Sequence, residues 1–268
     1  MEVKEISVLF FVILFQVVAI TKAAPANSTS SPTLLELPQS RIYGGQNAAV
    51  GQFPYHVLVT RHGDGYIVVC GGAIISQNYV VTAAHCVDGY SPSDYWIRAG
   101  TVNFNSGGVE IQVAEVKIHP DYSSFNYDIA VLRLSHSLDF NNNIKPIPLA
   151  SMEVPEGSTV TVTGWGGVSS GGLADILQYN TEEALNHDTC VKRMNVLAES
   201  MRCLAKSAGN GICGGDSGGP AVHRGVLIGV SSFGLNGCGS DLPDGFTNIV
   251  VTRDWIRGNS DVDFCCGA

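Results

Sequence analysis

No stripe of lysine and arginine runs through this sequence, which argues against a nucleic-acid-binding surface. The formal net charge is −9, and residues 1–41 contribute none of it, because Lys4, Lys22 and Arg41 balance Glu2, Glu5 and Glu36. The acidity lies downstream of Arg41 and reads as a solubility feature. No cluster of cysteine and histidine has zinc-ligand spacing, so the residues call for no metal. Heptads and low-complexity tracts are also missing from the region after Arg41, so no coiled coil is expected there. Only one apolar stretch, Ile6 to Ile20, is long enough to raise the question of a membrane, and it is short for a span of about 20 residues.

That stretch follows Lys4 and precedes the small residues Thr21, Ala23 and Ala24, the order of a secretory signal. Cleavage after Ala23 is expected, making residues 1–23 a signal peptide and the product secreted; a retained anchor is the alternative. Ala24 to Arg41 is rich in Ser, Pro, Thr and Asn, without periodicity, and reads as a linker or pro-segment. It carries one glycosylation sequon, Asn27-Ser28-Thr29. At Arg41 this polar character gives way to Ile42-Tyr43-Gly44-Gly45, and an exposed Arg at such a boundary is a natural cleavage site.

The chain of 268 residues, 45% of them hydrophobic, can bury a large core. Short strand patterns dominate it: Val57–Val59, Ile67–Ile75, Val80–Thr82, Val109–Ile118, Thr159–Thr163 and Gly225–Val230, with Gly, Asn, Asp or Pro turns between them. Within Val109–Ile118 the apolar parity changes, since Val109, Ile111 and Val113 share one face and Val116 and Ile118 the other. A bulge at Ala114 or Glu115 would reconcile them. Val251 to Arg257 is a short helix at the end. Such a pattern indicates an all-β barrel or sandwich. Eight cysteines in a secreted chain imply disulfides, whose pairing the spacing leaves open.

Chemistry concentrates in Cys213-Gly214-Gly215-Asp216-Ser217-Gly218-Gly219-Pro220. Glycines let the backbone approach a substrate, and a serine held among them can present its hydroxyl while neighbouring amides face an oxyanion. By itself the run could be a Gly-rich turn. A base is available in Thr82-Ala83-Ala84-His85-Cys86, because an imidazole takes and returns a proton near neutral pH. Asp128, ahead of the apolar Ile129-Ala130-Val131-Leu132, is a carboxylate whose burial would be costly unless paired.

From Ile42 to about Arg257 the chain closely resembles the secreted trypsin/chymotrypsin-like serine proteases. The Ile-x-Gly-Gly start, Cys70-Gly71-Gly72, Thr82-Ala83-Ala84-His85-Cys86, Asp128-Ile129-Ala130, Gly164-Trp165-Gly166, Gly215-Asp216-Ser217-Gly218-Gly219-Pro220 and Ser232-Phe233-Gly234 carry the likeness. The resemblance implies an all-β fold of two packed six-stranded antiparallel β-barrels with a short C-terminal helix, spanning residues 42–260 before a tail of residues 261–268. It implies Ser217 as nucleophile, His85 as general base and acid, Asp128 as its orienting carboxylate, and the amides of Gly215 and Ser217 as oxyanion hole. It further implies a zymogen, with residues 24–41 as activation propeptide. Cleavage at Arg41–Ile42 would free an α-amino group to pair with Asp216. Disulfides Cys70–Cys86, Cys190–Cys203 and Cys213–Cys238 carry over, whereas Cys265 and Cys266 match nothing in the pattern.

The specificity pocket departs from trypsin. Its floor, six residues before Ser217, is Gly211 rather than Asp, and Ile212 follows where a small polar residue is common. Ser232, Phe233 and Gly234 correspond to the strand that pairs with substrate backbone. Asp244 then has two placements. On the pocket wall it resembles invertebrate broad-specificity serine collagenases; solvated in a turn, it leaves a chymotrypsin- or elastase-like pocket. No acidic pair lies in Asn103–Gly108 where vertebrate trypsins bind calcium, so neither metal nor cofactor is implied. The expected partners are protein or peptide substrates, an activating protease and protein inhibitors, with no nucleic acid, no membrane after signal removal, and a monomeric state. Two other classes compete with this reading. A catalytically silent binding homologue usually loses a triad residue, and all three are present. A lipase or esterase fits Gly215 to Gly219, but wants alternating long helices that this sequence lacks.

Overall fold

The computed structural model describes residues 44–63, 66–168, 171–195 and 197–262, and among them short, mostly apolar runs between turn residues form thirteen strands and two α-helices. The signal and pro-segments, with Asn27, Arg41 and Ile42, lie outside the described residues, as do Cys265, Cys266 and all of the tail beyond residue 262. After β1 (Gln46–Asn47), the strands β2 (His56–Gly63), β3 (Tyr66–Ile74), β4 (Tyr79–Thr82), β5 (Tyr95–Ala99), β6 (Val109–Ile118) and β7 (Ala130–Leu134) close an antiparallel barrel in the order β2-β3-β4-β7-β6-β5. Its interior is filled by branched side chains such as Val57, Val59, Ile74, Val80, Ile97, Ile111 and Leu132. In β6 the register against β7 shifts between Val113 and Glu115, so Ala114 is the extra residue at which the apolar parity reverses. The bulge bends the strand, and both Val113 and Val116 reach the core.

A second barrel is built from β8 (Thr159–Gly164), β9 (Gln178–Ala184), β10 (Met201–Ala205), β11 (Pro220–His223), β12 (Val226–Phe233) and β13 (Asp244–Asn248). Its six strands are joined in the order β9-β10-β13-β12-β11-β8 and closed by the β8–β9 pairing, with β1 added against β9. Between β9 and β10 lies α1 (His187–Met194), capped where Asn186 Oδ1 accepts from Thr189 N at 2.8 Å. The last element among the described residues is α2 (Ile249–Gly258), which contains the helix expected at Val251 to Arg257 and starts two residues earlier, at the Asn248 cap.

The barrels are joined by a cluster of Ala48, Leu58, Trp165 and Leu177, with the Trp165 indole N–H donating to Val102 O at 2.9 Å. The Cys70–Cys86, Cys190–Cys203 and Cys213–Cys238 disulfides are all formed. The first ties β3 to the turn after β4, and the last clamps the segment before Ser217 to the loop after β12. Both therefore brace the loops that meet between the barrels.

Candidate active site

His85 lies in the single helical turn after β4, Asp128 immediately precedes β7, and Ser217 leads into β11. Asp128 is fully buried, and its environment explains why that is tolerable. His85 N donates to Oδ1 at 2.9 Å, His85 Nδ1 lies 2.7 Å from Oδ2, and Ser232 Oγ donates to Oδ2 at 2.6 Å. Each oxygen is thus satisfied, as a buried carboxylate requires. With Nδ1 turned to Asp128, Nε2 is the ring nitrogen left to accept a proton. The second barrel holds the Asp128 backbone too, through Thr247 Oγ1 donating to Asp128 O at 2.6 Å. A residue earlier, Tyr127 takes the left-handed region at φ 48, and its amide donates to Ser200 Oγ at 2.9 Å.

The Ser217 loop is drawn against the same place by its backbone. Gly71 N donates to Ser217 O at 2.7 Å, and Gly218 N donates to Ser231 O at 2.7 Å. Asp216 N turns back to Cys213 O at 3.0 Å. Among the described residues, no hydrogen bond takes up the amides of Gly215 and Ser217, and none joins Ser217 Oγ to His85. His85 Nε2 instead lies 3.8 Å from Cys86 Sγ. Cys70, His85 and Cys86 bring three ligand-type atoms together, but both sulfurs are spent in a disulfide and are not thiolates.

Asp216 points away from Ser217 into the protein and is 1% exposed. Its two oxygens accept from Gly166 N at 2.7 Å and Cys213 N at 2.9 Å. Burial pushes its carboxyl up to about 7, against the pull of those two amides. The carboxyl occupies space that side chains on the neighbouring strand end would need. A Cβ on Gly164 would come 2.0 Å from Oδ1, and one on Gly166 2.4 Å from Oδ2. The glycines flanking Trp165 therefore make room for Asp216, a reason the motif itself did not reveal. Behind the same loop lies His56, whose partner is not legible in the sequence. It is buried, its Nδ1 is 2.6 Å from Thr163 Oγ1, it stands edge-on to Trp165, and burial pulls it down to about 3, leaving it neutral. Of the other histidines, His136 and His187 are exposed, His223 Nδ1 meets Thr159 O at 2.8 Å, and His119 stacks on Tyr127 with ring centres 4.3 Å apart.

Beside Ser217, the segment Gly211–Ile212, the strand end Ser232–Gly234 and the start of β13 face one another. Asp244 lies between them, with 0% exposure, so it is not solvated in a turn. Ile212 N donates to its Oδ2 at 2.8 Å, and a Cβ on Gly234 would stand 3.2 Å from its Oδ1. Phe233 packs on Phe125 at 4.5 Å between ring centres, forming an apolar shoulder at the outer end. Two charged residues that sequence reasoning missed complete this cluster. Lys206, just past β10, donates from Nζ to Asp244 Oδ1 at 2.5 Å, with both side chains fully buried. Glu182 of β9 is also buried, with neither carboxyl oxygen hydrogen-bonded. Burial first, then the Asp244 carboxylate, drives its carboxyl well above the usual carboxylate range, with Lys206 opposing. Asp244 itself is raised by burial, while Lys206 and the Ile212 amide pull it back.

Residues 42–256 match the family model described as Trypsin. The chain is 38% identical over 258 residues to "Trypsin delta" of Drosophila erecta, covering 93% of this chain and 99% of that protein. It is 38% identical over 230 residues to "Trypsin alpha" of Drosophila melanogaster, with 82% and 88% covered. Against "Serine protease SP24D" of Anopheles gambiae, identity is again 38%, over 223 residues, with 81% and 80% covered.

Proposed function

Because the chain belongs to the trypsin family and is a serine endopeptidase, we propose that Ser217, His85 and Asp128 form its catalytic triad, in a secreted zymogen switched on by cleavage at Arg41–Ile42. The observation that carries this reading is the His85–Asp128 pair, 2.7 Å apart and sealed by the Ser232 hydroxyl. Asp128 fixes the tautomer, so His85 Nε2 can take the proton from Ser217 Oγ as that oxygen attacks the substrate carbonyl carbon. The tetrahedral oxyanion is held by the N–H groups of Gly215 and Ser217, and loss of one such donor costs roughly 3 kcal/mol of transition-state stabilisation. Collapse breaks the C–N bond, with His85 returning the proton to the leaving amine. Water, deprotonated by the same imidazole, then attacks the acyl carbon and releases Ser217.

Activation rests on Asp216. In the uncut chain its buried carboxyl has two amide donors and no cationic partner among the described residues. An unpaired buried charge costs about 3–5 kcal/mol, enough to decide whether the adjoining oxyanion loop is ordered. The ammonium freed at Ile42 would remove that penalty and let Ser217 Oγ reach His85. Its own pKa, about 7.7–8.0 when unpaired, would rise on pairing. The active form is then complete below that value and lost as pH climbs through the raised one. Residues 1–23 serve as signal peptide, 24–41 as propeptide, 42–260 as the protease domain and 261–268 as a tail. Among the described residues no helix is long and apolar enough to cross a membrane. The mature enzyme works as a monomer without cofactor on proteins or peptides, and is open to protein inhibitors.

The P1 side chain, the one preceding the scissile bond, is uncharged in this reading, with a chymotrypsin-like or broad preference. Gly211 offers no floor carboxylate, and Asp244 is already engaged. Two variants test the proposal. Processed Ser217→Ala should hydrolyse a peptide ester about a million-fold more slowly, as for loss of a serine nucleophile elsewhere; normal turnover would remove Ser217 from the mechanism. Arg41→Gln should stay intact and inactive, and full activity without cleavage would remove the zymogen.

A further inference from the structure

Lys206 is an unusual residue to bury, since an ammonium loses its hydration and must find compensation inside. It lies two residues beyond Leu204, which pairs with Asp244 across β10 and β13, and it turns back so that its ammonium meets that same aspartate. Its stem runs past the pocket floor: a Cβ on Gly211 would come 2.3 Å from Lys206 Cδ and Nζ, and 2.5 Å from Asp244 Oδ2. Gly211 stands at φ +113, where L side chains are strained, so both backbone and space forbid a floor side chain here. The site that a floor carboxylate takes in trypsins is therefore filled from the side by a lysine already bound to the wall carboxylate.

We propose that Lys206 is a specificity-determining residue: by neutralising Asp244 from behind Gly211, it makes the primary pocket select uncharged P1 side chains and refuse arginine and lysine. This rests on the uncharged-P1 reading above and assigns it a cause. Asp244 and Lys206 together carry no net charge, whether the proton sits between them or on the lysine. Glu182, the third group of the cluster, is buried without a hydrogen bond and adds no stable negative charge. A cationic P1 side chain would thus enter a site with nothing left to pair it, and would face the Lys206 ammonium. An aliphatic or aromatic one loses no hydrogen bond on entering. Removing Lys206 leaves a buried carboxylate at the slot, free to take a guanidinium or ammonium from the substrate.

The test compares kcat/KM on peptide substrates differing only at P1 (Leu, Phe, Arg, Lys, Glu), using active-site-titrated wild type, Lys206→Met and Asp244→Asn. Lys206→Met should raise the ratio of Arg or Lys to Leu at least tenfold and should gain competitive inhibition by benzamidine. Folded Lys206→Met with that ratio within twofold of wild type overturns the proposal. Should Lys206→Met fail to fold, Asp244→Asn decides: its unpaired Lys206 ammonium should raise the ratio of Glu to Leu at least tenfold, and no change overturns the proposal. A wild type that prefers Arg or Lys contradicts instead the uncharged-P1 reading on which it rests.

Discussion

Each residue of the proposed triad is held by partners that its own sequence segment does not contain. Asp128 depends on Ser232 and Thr247 from the second barrel, and Tyr127 beside it on Ser200. Ser232→Ala removes one hydrogen bond to a charged group, worth about 1.5–3 kcal/mol. With about 1.4 kcal/mol per tenfold in rate, kcat/KM should fall roughly tenfold to a hundredfold. Steady-state kinetics on the processed variant measure this, and an unchanged value would show that the Ser232 hydroxyl is idle. At this scale the sequence was readable where a motif carries the proposed chemistry, as at His85 and Ser217. It was unreadable where a residue acts through a distant neighbour. Nothing near Lys206 or Glu182 in the chain announces that they meet Asp244, because their meeting depends on the pairing of β9, β10 and β13.

Several elements with clear apolar patterning could be read, whereas β9 and α1, which lack it, could not. The parity change in β6 located the Ala114 bulge to within a residue, since a half-buried strand must keep one face to the core. β9 escaped notice because its sequence, Gln178 to Ala184, is mostly polar; Glu182 faces inward there against the usual rule. α1 was hidden likewise: of its eight residues only Cys190 and Met194 are buried, and its start is set by the Asn186 cap. Asn186→Ala should cost about 1 kcal/mol of stability, read as a lower urea midpoint, with kcat/KM unchanged because α1 touches none of the triad. An unaltered midpoint would mean that the cap contributes nothing.

Across the whole molecule, the loops that carry His85, Asp128 and Ser217, the proposed triad, come from remote parts of the chain, and the acid next to Ser217, Asp216, is buried. Asp216 makes the uncut protein sensitive to pH. Its carboxyl titrates at about 7 in the fold and at 3.8 ordinarily. Between those values the folded state keeps a proton that the unfolded state gives up, so stability must fall as pH rises. The difference amounts to roughly 4 kcal/mol at about 1.4 kcal/mol per unit. Thermal melting of the uncut chain should therefore decline from about pH 4 to about pH 7. Asp216→Asn should lose that part of the decline, and equal slopes in the two proteins would contradict the assignment. Cleavage should also flatten the slope, because a cation then holds the carboxylate.

The central claim is that Ser217 becomes a nucleophile only after the chain is cut at Arg41–Ile42. Intact-mass measurement after reaction with a fluorophosphonate tests it most directly, on uncut, cut and cut Ser217→Ala protein. One adduct on the cut protein, mapped to Ser217, with none on the other two, is the predicted result. Equal labelling of uncut and cut chains, or labelling that survives Ser217→Ala, would contradict it.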